Sequence, residues 1–251
     1  MGLKLKNFLD FDRKQWLIVL LIGVLAFAIR AHLMRYELFF EFDSYFHARI
    51  LGTLLQTGSI PQFDTMAYYF MPQVSMPAVP LHWYFGAFMY KLLFLGAAYS
   101  KANLILLVKF LPAFYGALIT ITMYFLGKEV YSKKAGYVMA FVAAVTPAFI
   151  YRTMAGFWED DSFGFLWLGL GLVFMVRALK STEFNAKMIM NTVLAGIFFG
   201  AMAWSWGMFI LIPVLIVPFF IISLARALWI KANRELVVFA AAFAAILAIF
   251  S

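Results

Sequence analysis

Long apolar runs constrain this chain more than any other feature of its sequence. A helix that crosses a bilayer needs about 20 mostly apolar residues, with a range of about 17 to 25. Six or seven candidate runs lie at 16–34, 104–126, 135–151, 162–176, 188–204, 208–224 and 236–251. Because 65% of the residues are hydrophobic and only 13% are charged, a soluble domain of this length could not bury so much apolar surface. The sequence therefore predicts an all-α, polytopic transmembrane helical bundle.

The first apolar run follows a basic stretch, as the core of a signal peptide also does. Here Arg30, His32 and bulky residues follow the apolar stretch 16–29, and a small-residue cleavage site is missing. We therefore expect a retained first span. The segment 35–103 carries four prolines, scattered charges and many aromatic residues. It is predicted to be a first external loop with helices at the membrane surface, including 81–98.

The basic residues favour a cytoplasmic N-terminus. With that orientation, 13 of the 20 Lys and Arg residues fall in cytoplasmic segments, against five outside. The inside residues are Lys4, Lys6, Arg13, Lys14, Lys128, Lys133, Lys134, Arg177, Lys180, Lys187, Arg226, Lys231 and Arg234. If 81–98 also crossed the bilayer, this bias would be lost. The net charge of +8 is therefore interpreted as a topology signal, and no nucleic-acid partner is expected.

Two acidic clusters, more than a hundred residues apart, are predicted on the same outer face. The first cluster includes Asp43, and the second is Glu159, Asp160 and Asp161. Adjacent acids near hydrocarbon need compensation, and Mg²⁺ and Mn²⁺ prefer carboxylate oxygens. In an extended loop, Glu159 and Asp161 would face one ion and Asp43 would complete the ligands. The alternative is that these acids only cap the helix that follows.

Three other polar residues near these clusters leave two interpretations open. Arg152 either extends its charged end to the membrane surface or binds a phosphate through paired hydrogen bonds. His47 and His82 could be metal ligands, although a single interfacial His more often only makes hydrogen bonds. The absence of Cys removes disulfides and thiolate metal sites.

Three motifs give the chain a resemblance to a known family. They are Glu41-Phe-Asp-Ser-Tyr-Phe-His-Ala-Arg49, Arg152-Thr-Met-Ala-Gly-Phe-Trp-Glu-Asp-Asp161 and Ala203-Trp-Ser-Trp-Gly207. In these residues the chain resembles the N-terminal membrane region of the catalytic subunit of oligosaccharyltransferase, of the archaeal and eukaryotic type. The second motif is the specific one. The resemblance implies a glycosyltransferase membrane domain of the GT-C type, incomplete in these 251 residues.

The resemblance also implies a site and a reaction. Asp43, Glu159 and Asp161 would bind Mn²⁺ or Mg²⁺, with His82 as a weaker candidate ligand, and Arg152 would complete the catalytic set. Glu159 departs from the family's commonest residue, Asp, by one methylene. The enzyme would transfer an oligosaccharide from a dolichyl or other polyprenyl (pyro)phosphate to Asn in Asn-x-Ser/Thr of an acceptor polypeptide. The site would lie on the external or luminal face of the membrane.

Parts of the family pattern are missing from the sequence. Its soluble C-terminal domain, with a Trp-Trp-Asp motif, and a later loop with a catalytic Glu are not found in residues 1–251. We therefore expect an N-terminal transmembrane portion that is inactive alone. Alternatives are another polyprenyl-phosphate-sugar glycosyltransferase, a transporter, which would place ionisable groups near the middle of spans, and a non-catalytic membrane scaffold.

Overall fold

Helices dominate the computed structural model, which describes residues 13–64, 66, 74–75, 80–181 and 185–229. The helices are α1 Arg13–Ala31, α2 Phe42–Thr57, α3 Leu81–Leu93, α4 Lys101–Val130, α5 Lys133–Val145, α6 Pro147–Thr153, α7 Asp160–Leu179, α8 Ala186–Ala203 and α9 Leu211–Trp229. Two short 3₁₀ turns, His32–Arg35 and Gly207–Ile210, follow α1 and precede α9. The strands β1 Phe63–Asp64 and β2 Val74–Ser75 form a small antiparallel pair that aligns Phe63 with Ser75 and Asp64 with Val74.

Five helices in the described part of the chain are long and apolar enough to cross a membrane. They are α1 with its 3₁₀ turn, α4, α7, α8, and α9 with the turn before it. Their positions match five of the apolar runs, and the chain is an integral, multi-pass membrane protein. The last predicted run, 236–251, lies outside the described residues.

The run at 135–151 forms two helices rather than one straight span. The helices α5 and α6 meet at Thr146 with a bend of 61°. Pro147 explains the break, because it has no N–H to continue the ladder and its ring clashes with the preceding turn. It occupies the first position of α6, where a missing N–H is tolerated. Counted as one bent span, the pair brings the number of candidate crossings to six among the described residues.

Two shorter helices, α2 and α3, lie between the first two long ones, in the segment predicted to be an external loop. The α3 helix ends at Leu93, five residues earlier than expected. The chain leaves it through left-handed conformations at Leu95 (φ 52°) and Gly96 (φ 75°). The Gly96 N–H donates to the Lys91 carbonyl, which closes the helix end. That α2 and α3 lie at the membrane surface stays a prediction.

The α4 helix is the centre of the bundle and packs against α1, α5 and α7, while α8 packs on α7. The main core joins buried aromatic residues from several elements, among them Trp83, Tyr115 and Phe163. Glycines allow α4 and α5 to approach closely: a Cβ on Gly136 would lie 2.6 Å from the carbonyl oxygen of Tyr124. The outer faces of α1 and α9 expose large apolar side chains, as lipid-facing helices do.

Candidate active site

The first acidic motif lies at the start of α2. Glu41 is the N-cap residue of this helix, and its carboxylate accepts hydrogen bonds from the backbone N–H groups of Asp43 and Ser44. Asp43 therefore lies in the first turn, with an exposed side chain. This local structure holds the carboxyl groups of Glu41 and Asp43 on the same end of α2.

The second acidic motif fills the turn between α6 and α7. Gly156 in this turn has a φ of 88°, which favours glycine, and a Cβ there would lie 3.1 Å from the ring of Phe40. Two hydrogen bonds tie the turn to the first motif. The Phe40 N–H donates to the Gly156 carbonyl at 3.0 Å, and the Trp158 N–H donates to the Ser44 hydroxyl at 2.8 Å. As a result, Glu159 lies next to Glu41.

Three carboxyl groups from the two motifs meet in what we call the carboxylate cluster: Glu41, Asp43 and Glu159. One oxygen from each lies within 4.8 Å of the other two. The sequence predicted that Asp43 and Glu159 would come together, and the geometry places them so. Glu41 was not among the predicted ligands, although it is an acid two residues before Asp43. Asp161 lies beside the cluster rather than in it.

The local conformation around Asp161 differs from the extended loop that was assumed. Glu159 is extended and precedes α7, but Asp160 and Asp161 already form its first turn. Side chains alternate between two sides only in extended backbone, and the extended backbone ends at Glu159. The prediction that an extended loop would point Glu159 and Asp161 the same way was therefore wrong. The side chain of Glu159 makes no capping hydrogen bond with α7, so helix capping does not account for its position.

The cluster concentrates negative charge in a partly buried place. Burial raises the pKa of Glu159 to about 9, helped by a hydrogen bond with Glu41 and by the charges of Glu41 and Asp161, while Arg152 opposes the shift. Burial acts to raise the pKa of Glu41, but the hydrogen bond from Glu159 and backbone N–H groups of α2 lower it overall. Partial burial and the charges of Glu41 and Asp161 raise the pKa of Asp43. The cluster thus favours a positive group.

Arg152 bridges the cluster and its neighbour. One guanidinium nitrogen lies 3.2 Å from Glu159 and 3.1 Å from Asp161, and the group also lies over the ring of Phe157 at 5.3 Å. Almost half of the side chain, 47%, stays exposed, so its other donors can still reach a ligand. Arg152 therefore faces the predicted site and does not simply extend away from it.

Arg49 has a different partner. Its guanidinium forms a paired contact with Asp64, at 2.6 and 2.5 Å, and Asp64 is 2% exposed. The hydrogen bonds from Arg49 hold the pKa of Asp64 below its ordinary value. This pair joins α2 to β1 and lies outside the carboxylate cluster.

The two candidate histidines lie in aromatic packing beneath the second motif. The His82 ring is 4.4 Å from that of Trp158 and 5.1 Å from that of His47, and His82 is buried. His47 accepts a hydrogen bond at Nδ1 from the indole of Trp83 at 3.0 Å. Burial lowers the pKa of His47 to about 4 and that of His82 well below its ordinary value. Burial thus disfavours the charged form of both rings, and neither histidine belongs to the carboxylate cluster found among the described residues.

The third motif has a packing role. The indole of Trp206 packs on Gly164 of α7, where a Cβ would lie 2.6 Å from it. The Trp204 carbonyl accepts a hydrogen bond of 3.0 Å from the Leu81 N–H and so holds the start of α3. The side chain of Trp204 is exposed.

Comparison with known proteins identifies relatives of one kind. Residues 15–251 match the family model described as oligosaccharyl transferase STT3, N-terminal. Dolichyl-phosphooligosaccharide-protein glycotransferase 1 of Pyrococcus furiosus is 31% identical over 210 residues, which cover 82% of this chain and 20% of the relative. The STT3B subunit of the dolichyl-diphosphooligosaccharide–protein glycosyltransferase of Oryza sativa subsp. japonica is 31% identical over 198 residues, covering 76% and 27%. This chain spans between 20% and 30% of the curated relatives it matches.

Solved structures share the fold. Archaeal oligosaccharyltransferase AglB from Archaeoglobus fulgidus, in complex with an inhibitory peptide and a dolichol-phosphate, aligns with a TM-score of 0.77 and 21% identity over 94% of this chain and 29% of that one. A second structure of an oligosaccharyltransferase from this organism, in complex with Zn and sulfate, aligns with a TM-score of 0.70 and 19% identity over 93% and 35%.

Proposed function

We infer that this chain, which belongs to the oligosaccharyl transferase STT3 family, is the N-terminal membrane part of an enzyme that glycosylates protein Asn residues. The enzyme transfers an oligosaccharide from a dolichyl or other polyprenyl phosphate or pyrophosphate to Asn in Asn-x-Ser/Thr. The observation that carries this proposal is the carboxylate cluster, which joins two motifs more than a hundred residues apart and lies beside Arg152.

The donor set of the cluster fits a divalent cation. It offers only carboxylate oxygens, which suit Mg²⁺ and Mn²⁺. Burial, and after it the neighbouring carboxyl groups, raise the pKa of Glu159, and a nearby cation would oppose that shift. The ion would be held by the three carboxylates of the cluster, Glu41, Asp43 and Glu159. Asp161 lies close enough for its negative charge to act on Asp43. When bound, the cation would offset negative charge that develops on the departing phosphate oxygen.

The side chains of this chain have separate roles in the proposed reaction. An exposed carboxylate at Asp43 accepts hydrogen bonds from the amide N–H groups of the acceptor Asn, which reduces the conjugation of that amide and favours attack by its nitrogen. Arg152 keeps Glu159 and Asp161 in place and presents its remaining donors to a phosphate oxygen of the donor.

The bilayer explains why such a site belongs at a membrane surface. The tail of a polyprenyl donor stays in the hydrocarbon, so its phosphate lies at headgroup depth. We propose that the N-terminus is cytoplasmic and that the cluster lies on the external or luminal side, because this orientation puts most basic residues inside. His82 is a weaker candidate ligand than the three carboxylates, because its ring packs against the aromatic rings of Trp158 and His47.

The test is Asp43→Asn in the full-length protein, with glycan transfer to a fluorescent Asn-x-Thr peptide as the readout. We expect turnover to fall by at least about 100-fold. Removing a residue that binds the ion directly should lower turnover more than removing one that only orients a ligand, which costs about 10- to 100-fold. Chelation should stop transfer, and Mn²⁺ or Mg²⁺ should restore it. The matched control is Glu37→Gln, an exposed acid of the same loop, which should leave turnover unchanged. Full activity in Asp43→Asn would refute the assignment.

A further inference from the structure

Arg30 is a buried guanidinium near the outer end of α1, with 1% of its surface exposed. Its Nε donates to the Thr153 hydroxyl at 2.6 Å. One terminal nitrogen donates to the carbonyls of Ala26 at 3.0 Å and Ala144 at 2.9 Å, and the other donates to the carbonyl of Ala143 at 3.1 Å. Ionisable residues within membrane spans are expensive and commonly mark functional sites. The contacts of Arg30 indicate which site it serves.

Two of these acceptors are the carbonyls that the break between α5 and α6 leaves without helical donors. In a continuous helix, the carbonyl of Ala143 would accept from residue 147, but Pro147 has no N–H. The bend of 61° separates the next donor from Ala144 in the same way. Arg30 replaces both donors and reaches across the break to Thr153 at the end of α6. One side chain thus holds both halves of the bent span.

The same residue is attached directly to the second acidic motif. The Arg30 carbonyl accepts a hydrogen bond of 3.0 Å from the Ala155 N–H. Next to Ala155, the Gly156 carbonyl accepts from Phe40, and Thr153 is preceded by Arg152. We propose that Arg30 is a positioning residue that, through the α5–α6 break, fixes the Arg152–Asp161 segment, and with it Glu159, against the start of α2. This inference rests on the proposed function.

The neighbouring helix is shaped to accept Arg30. Gly116 of α4 faces the guanidinium, and a Cβ there would lie 2.3 Å from Nε and 2.4 Å from Cδ of Arg30. Only glycine leaves this space. Within the described part of the chain, the hydrogen-bond acceptors of Arg30 are neutral oxygens, so its contribution to the site is geometric.

The test uses the full-length protein and two readouts. In Arg30→Met, kcat for peptide glycosylation should fall on the order of 10²-fold, the loss expected from a displacement of about 1 Å, while KM changes less than about threefold. The second readout needs no activity. Residues 1–251 contain no Cys, and any Cys elsewhere in the full-length protein is replaced by Ser. Spin labels on Phe42→Cys and Ala148→Cys, both exposed positions, then report the distance from α2 to α6. The distance distribution should broaden in Arg30→Met.

Matched variants separate positioning from charge and from folding. Arg35→Met removes a nearby exposed positive charge, which donates to the Tyr36 hydroxyl, and should change neither readout. Arg30→Lys should recover only part of kcat, because an ammonium cannot reach the same four acceptors. If Arg30→Met does not fold, Thr153→Val decides, since it lacks the acceptor hydroxyl that Thr153→Ser keeps. Thr153→Val should lower kcat and broaden the distance, and Thr153→Ser should do neither.

Two results would overturn the inference: unchanged kcat in Arg30→Met, whether or not KM rises, or a loss of kcat with an unchanged distance distribution. These outcomes differ from failure of the proposed function. If the proposed function were wrong, Asp43→Asn would retain transfer, whatever distance the spin labels report in the Arg30 variants.

Discussion

Glycine at the crossing of α4 and α5 gives a quantitative test of the bundle. In Gly136→Ala, the new Cβ would lie 2.6 Å from the Tyr124 carbonyl oxygen and 3.1 Å from the Lys128 backbone nitrogen. Ordinary contact begins near 3.4 Å, and these backbone atoms cannot rotate away, so the helices must separate by about 0.8 Å. Overpacking of this kind costs about 1–3 kcal/mol, against a gain of about 1 kcal/mol in helix propensity.

Gly200→Ala in α8 is the matched control, because a Cβ there meets nothing within 4 Å. It gains the same helix propensity without the clash, so the difference between the two variants isolates the cost of the crossing. With about 2–4 °C per kcal/mol, Gly136→Ala should unfold about 2–12 °C below Gly200→Ala in lipid nanodiscs, measured by circular dichroism. Equal midpoints for both variants would refute the close approach of α4 and α5.

Two further predictions concern the segment between α1 and α4 and the orientation of the bundle. The pKa of Asp64 is lowered by Arg49, so the pair stabilises the fold above the ordinary pKa of an Asp, and this contribution disappears as the pH falls through the folded-state value. Thermal unfolding from pH 7 to about pH 2 should show Asp64→Asn less stable than the unchanged protein by about 1–3 kcal/mol at pH 7. The difference should shrink progressively as the pH falls below the ordinary pKa of an Asp, and a constant difference would contradict this. In right-side-out vesicles, a membrane-impermeant maleimide should label Phe42→Cys and not Tyr131→Cys, both highly exposed positions, and the reverse result would place the cluster on the cytoplasmic side.

The sequence predicted the long helices and the meeting of two distant acids, for reasons that are local. Apolar length identifies spans, and the distribution of Lys and Arg puts alternate loops on one face. Asp43 and Glu159 then belong to the same face without any knowledge of packing. What could not be predicted was the partner of each acid, because that depends on long-range contacts such as the Phe40–Gly156 and Ser44–Trp158 hydrogen bonds.

The break after α5 and the role of Arg30 were missed for a related reason. Proline is tolerated in membrane helices when other groups satisfy the carbonyls it leaves free, so Pro147 alone does not predict a bend. The compensating donor lies more than a hundred residues away, and in the sequence Arg30 is only a basic residue near the end of a span. A buried arginine together with a proline on another span would be the signal to search for.

Helix capping was the main alternative explanation for the acidic motifs, and the structure allows it to be judged acid by acid. Capping explains Glu41, whose carboxylate accepts two N–H groups of α2. It does not explain Glu159, which precedes α7 without capping it and instead lies 3.2 Å from Arg152 and beside Glu41. Burial raises the pKa of Glu159, so the fold disfavours its ionised form. A bound cation would favour an acid there, because it would replace the proton and stabilise the ionised form of every member of the carboxylate cluster.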